Sequence, residues 1–287
     1  MNAWRELVMD NPMMAEFYRR GRRFALSRNN QQNIIFAILG VVLVYVVCLM
    51  MFVQMSFLTA TGVATAKFPL LLLVVPVAVH ATVAGEREKL TWDALCSAPL
   101  TDAQIVAGKF VSSVAVVALV ELVFLPVQLA AWTVRQSADR WVDLVSMVRM
   151  DGYCMAVGLA LGCVTFLLSA RSKRPFTTLG ASIGLVAAGL TFGGVTLAGN
   201  PEDMARKAGW LLVSLLNHYV HLAAIISPQG SDNWVEKATS GIPFAPEIGA
   251  AFYVSVGLAA LFFATKTLHH ADQEAVASGT TKRNKHA

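Results

Sequence analysis

Charge is what this chain has least of. Only 14% of its 287 residues are Asp, Glu, Lys or Arg, where a soluble domain carries about a quarter. With 56% hydrophobic residues and a mean hydropathy of +0.57, the composition excludes an ordinary soluble domain and suits a bilayer. Cysteine is sparse too: Cys48, Cys154 and Cys163 lie in apolar runs and Cys96 in a charged segment, with no paired spacing. That excludes a disulfide frame or a zinc knuckle and leaves four small packing residues. Catalytic signatures are missing as well. There is no GxxxxGK[ST], no HExxH and no GxSxG, and Gly108-Lys109 lacks both the upstream Gly and the following Ser or Thr of a phosphate-binding loop. The chain is therefore not expected to be an enzyme, nor to hold a cofactor or metal. His218 and His221 share one helical turn but have no third ligand nearby. The net charge of +5 falls in short basic clusters without interleaved aromatics, which points away from nucleic acid and toward anionic lipid headgroups.

What the chain does have is long apolar runs. Six are long enough to span a hydrocarbon core as helix, at 34–57, 68–84, 105–134, 152–170, 176–198 and 248–265. The first starts too late and runs too long for a cleavable leader. Pro69, Pro76 and Pro126 fall inside runs and are expected to kink them. Placing the N-terminus inside puts 16 of the 23 Lys and Arg on the inner side, so both termini are expected in the cytoplasm and the chain in the inner (cytoplasmic) membrane. The segment 202–228 is expected to be re-entrant or to lie on the outer surface, because a seventh span would put the basic tail outside. The tail 271–287 is polar, lacks periodicity and is expected to be unstructured.

Residues 1–33 precede the first run. Asp10-Asn11-Pro12 reads as a helix start, an Asx cap followed by Pro at the first helical position. Met14, Phe17, Tyr18, Gly21 and Phe24 then recur at helical spacing among basic residues, the pattern of an amphipathic helix lying on a membrane surface. A second charged segment joins the second and third runs. In it Trp92, Leu95, Cys96 and Pro99 follow the spacing of a short amphipathic helix, taken as 86–99. Thr101 with Gln104 then forms a capping box that starts the third run.

Residues 85–109 carry a resemblance. Glu86-Arg87-Glu88, Thr91-Trp92-Asp93, Leu95, Ser97, Pro99-Leu100-Thr101, Gln104-Ile105-Val106 and Gly108-Lys109 resemble the permease subunits of ABC-2 type ABC transporters. The chain departs from that pattern at Leu90, where Gly is usual. The resemblance implies an all-α polytopic membrane protein whose charged segment is a coupling helix docked on a separate ABC ATPase subunit. Glu86, Arg87, Glu88, Thr91 and Asp93 would make its polar contacts, with Trp92 and Leu95 as apolar anchors. It also implies ATP and magnesium on that partner, a second permease copy as homodimer or heterodimer, and export of a substrate the sequence does not identify. A polytopic protein that works without an ATPase, such as a secondary carrier or assembly factor, is the alternative; no internal repeat supports it.

Glu121 is the one acid placed within a span. A carboxylate there costs about 2.5–3.5 kcal/mol on insertion scales, so it needs a partner or a wet cavity. It reads as a substrate-pathway residue, or as a packing residue bonded to Gln54, Gln128 or His80. Gly158 and Gly162, then Gly180, Gly184, Gly189 and Gly193, set small residues near one-turn spacing, which allows close helix packing.

Overall fold

The computed structural model describes residues 11–13, 19, 60–92, 95, 100–134, 140–198 and 245–283. Among the described residues the fold is all-helical: α1 (Ala60–Val79), α2 (Ala84–Glu88), α3 (Asp102–Val134), α4 (Arg140–Arg171), α5 (Pro175–Ala198) and α6 (Ala245–Arg283). Four stretches are long and apolar enough to cross a membrane: Lys67–Glu88, Asp102–Thr133, Leu144–Arg171 and Glu247–Leu268. A shorter one, Pro175–Leu190, lies in α5. These coincide with the second to sixth expected runs. The first run at 34–57 and the segment 202–228 lie outside the described residues.

Three helix bounds differ from expectation. The second run ends as helix at Val79 and extends back to Ala60, which draws Lys67 inside α1. The fourth begins at Arg140, three turns early, and takes Asp151 into the helix. Helix α6 continues through the polar tail to Arg283, where no regular structure was expected. Extending an existing helix needs no new nucleus, so Ala, Gln, Glu and Lys suffice to prolong it without an apolar face.

Helix α4 is the centre of the bundle and packs on α1, α3, α5 and α6. Among the described residues its apolar window is 72% buried, against 24% for α3, so α4 is the axis and α3 lies at the periphery. The core runs along it: Met150, Tyr153, Val157, Phe166 and Ala170 meet Leu71, Val75 and Val79 of α1, Val117 of α3 and Leu268 of α6. Close approach is made possible by small residues. A Cβ on Gly162 would come within 2.9 Å of Ser113 Cβ, and one on Gly158 within 3.2 Å of Val117 Cγ2. These two glycines serve packing within the chain, whereas Gly180, Gly184 and Gly189 of α5 face open space. Cys154 and Cys163 are buried free thiols on α4.

Candidate functional site

The charged segment folds as two pieces. Glu86-Arg87-Glu88 closes the five-residue α2, and Trp92 and Leu95 stand in helix beyond a turn at Lys89-Leu90. The amphipathic spacing predicts one helix over 86–99, and the structure divides it into these two pieces. What separates them is a Schellman closure: the Leu90 N–H bonds the Arg87 carbonyl (3.2 Å) and the Thr91 N–H bonds the Glu86 carbonyl (2.9 Å). That closure needs a left-handed residue, and Leu90 supplies it at φ 55°. A side chain there is strained by about 1–2 kcal/mol. Here lies the physical reason for the glycine usual at this position in the resembling permeases.

Three attachments hold this corner. The α1 helix ends at Val79 and α2 starts at Ala84, and a buried hydroxyl bridges the break. Ser169 Oγ of α4 accepts the N–H groups of Val83 (3.1 Å) and Ala84 (3.0 Å) and donates to the His80 carbonyl (2.9 Å). Lys109 near the start of α3 pairs with Glu86. Gly85 sits against the start of α5, 3.9 Å from Pro175 Cγ measured from the Cβ it lacks, and Arg87 reaches toward the Ser172 carbonyl. The corner thus touches α3, α4 and α5 at once.

Burial sorts the site residues. Trp92 is only 8% exposed, belongs to the main core, and lies under the Arg87 guanidinium at 5.2 Å from the ring centroid. Glu86, Arg87 and Leu95 are half-buried, and Glu88, Lys89, Leu90 and Thr91 are exposed at the tip. Leu90, 83% exposed, is the apolar side chain the tip offers outward. Asp93 lies outside the described residues.

The N-terminal segment meets the same end of the bundle. Asn11 Oδ1 accepts the Met13 N–H (3.0 Å), the expected Asx cap, and its Nδ2 donates to the Gln104 carbonyl (2.9 Å). A Cβ on Gly108 would fall 2.4 Å from Met13 Cβ, so the segment rests on α3 where there is no side chain. The capping box closes as expected, with Thr101 N–H on Gln104 Oε1 (3.0 Å) and Gln104 N–H on Thr101 Oγ1 (3.3 Å).

Glu121 stands elsewhere, about midway along α3. Its Oε2 pairs with Lys67, which pairs also with Asp151; Lys67 is fully buried and the carboxylates nearly so. Gln128 Nε2 donates to Asp151 Oδ1 (2.8 Å). Asp151, not Glu121 alone, is thus an acid within a span, a correction to the sequence reading. Of the neutral partners considered for Glu121, Gln128 joins the same cluster through Asp151. The cluster holds two acidic side chains to one basic one, and Glu121 Oε1 and Gln128 Oε1 are buried without a hydrogen-bond partner. Lys67 ties α1 to α3 and α4 together, and nearby Arg149 ties α4 to α6 through Glu247 (Nη2–Oε2 3.0 Å). Sequence reasoning missed Ser169, Lys67 and Asp151. Their one signal was polarity next to or within an apolar run.

A family model described as ABC-2 family transporter protein matches residues 68–268, from the third turn of α1 to the end of the apolar part of α6. Among curated proteins, none matches.

Proposed function

Because the chain belongs to the ABC-2 family of transporter proteins, we propose that it is the membrane-spanning subunit of an exporter, driven at its charged corner by a separate ABC ATPase. A permease of this family is a multi-pass membrane component of transport. ATP and magnesium belong to the partner, and two permease copies flank the substrate path. On this reading the corner faces the cytoplasm, with both termini on that side of the inner membrane.

The observation that carries the proposal is how the corner is built. An exposed tip of Glu88, Lys89, Leu90 and Thr91 projects from a base fastened to α3, α4 and α5. A push on such a tip moves helices rather than a loop. The contact residues are Glu88, Leu90 and Thr91, together with Asp93 of the same charged segment. Glu86, Arg87 and Trp92 position them from below, and Leu95 packs against the same core. The Lys67–Glu121–Asp151 cluster is read as a lock between helices along the path, with Glu121 held by Lys67 rather than open to cargo.

Co-purification with the ATPase tests the docking. Glu88→Ala combined with Leu90→Ser should leave the permease monodisperse and equally heat-stable, yet abolish capture of the ATPase. Full capture and unchanged nucleotide turnover in that variant would place the docking surface elsewhere.

A further inference from the structure

The turn between α4 and α5 carries three cations. Arg171, Lys173 and Arg174 are all exposed, and Phe176 beside them is 83% exposed. The turn is tied down by hydroxyls: Ser172 Oγ accepts the Arg174 N–H (3.3 Å), and Thr177 Oγ1 donates to the Arg174 carbonyl (2.7 Å). A fixed backbone presents a concentrated positive charge with an exposed ring at one end of a bundle whose sides are apolar.

A second feature lies deeper on the same helix. Both α5 and α6 pack on α4, yet they hardly touch each other. Between them opens a cleft of about 400 Å³, lined by Leu72, Val157, Leu161, Leu185, Gly189 and Phe252. Its walls are apolar apart from Tyr253. Leu185 lies ten residues beyond Pro175, about 15 Å along a helix at ~1.5 Å per residue. That depth equals half of a ~30 Å hydrocarbon core, the reach of one leaflet's chains.

We propose that the α4–α5 turn and this cleft together bind one anionic phospholipid, its phosphate on Arg171, Lys173 and Arg174 and an acyl chain in the cleft. Charge selects the headgroup, and the ring of Phe176 sits at the headgroup level, where aromatic side chains favour the interface. The cleft takes the chain because nothing polar competes for it. A zwitterionic lipid would fit the cleft equally well but gain less at the turn. This site adjoins the charged corner, which reaches the turn at Ser172 and Pro175, but it is tested by lipid retention and not by capture of the ATPase.

Native mass spectrometry of the full chain, delipidated and re-exposed to equal phosphatidylglycerol and phosphatidylcholine of matched chains, tests it. Wild type should retain phosphatidylglycerol by at least about ten-fold, since each basic residue near an anionic surface adds a several-fold preference. Neutralising the turn (Arg171→Gln, Lys173→Gln, Arg174→Gln) should erase that preference. Gly189→Phe, placed where a side chain meets open space, should cut retention of both lipids while the chain stays folded by circular dichroism. Equal retention of the two lipids by wild type overturns the headgroup assignment. Unchanged retention in Gly189→Phe overturns the cleft, and if that variant instead loses its dimer, the cleft is covered by a second copy.

Discussion

At the charged corner a neutral hydroxyl does for three helices what a cation does in the middle of the bundle. Ser169 bridges the break between α1 and α2 with ordinary hydrogen bonds. Lys67 joins α1, α3 and α4 through two buried ion pairs. A neutral joint loses little when it shifts, because its groups find water or one another at about 1 kcal/mol per bond. A charged joint in a dry interior has no such alternative, and losing one partner strands a charge at several kcal/mol. The Ser169 bonds can thus re-form after a small shift while the corner stays fastened through Lys109 and Glu86, whereas the cluster holds until it breaks outright.

The largest effect should come from breaking the charged joint. Lys67→Met leaves two partly buried carboxylates facing each other without their shared cation and should cost about 3 kcal/mol, the low end for a broken buried pair, read as a fall in the thermal midpoint of the purified protein. Adding Glu121→Gln and Asp151→Asn should restore most of it. A triple variant no better than the single one would mean that the loss is packing, not charge. Trp92→Ala comes next. If this ring is core rather than a docking anchor, the permease alone should lose on the order of 3 kcal/mol without any ATPase present. An unaltered midpoint with lost docking would return Trp92 to the surface.

Ser169→Ala should be milder, about 1–3 kcal/mol for stranded backbone groups. Its signature is local: faster hydrogen exchange at the Val83 and Ala84 amides, with the α4 core unchanged. Exchange that rises evenly along α4 would show that the hydroxyl is not a local joint. Smallest and opposite in sign is Leu90→Gly, which relieves the left-handed strain and should stabilise the chain by up to ~1 kcal/mol. A loss of stability would mean that the exposed leucine packs against something within the chain.

How much of this was readable beforehand follows the range of the interactions. The Asx cap at Asn11 and the Thr101–Gln104 box were legible because each signal and its partner lie within three residues. The departure at Leu90 also spoke: a position that favours glycine marks a left-handed turn, and φ 55° is what stands there. The amphipathic spacing around Trp92 gave its face but not what the face meets, since a ring suits a partner's groove and its own core equally. The ion cluster was out of reach. Its partners are 54 and 84 residues apart, and Lys67 and Asp151 each stand one residue outside the apolar runs that begin at 68 and 152. Hydropathy locates spans well but blurs their ends, where these charges sit.

Proline is distributed unevenly over the three helices that meet at Lys67. Helix α1 contains Pro69 and Pro76, and α3 contains Pro126. Helix α4 runs 32 residues without one and carries Ser169 near one end and Asp151 toward the other. An uninterrupted ladder of backbone hydrogen bonds resists flexure, while a helix missing rungs bends where they are missing. The axial rod therefore behaves as a spindle, and its two notched neighbours are the members that can flex around it.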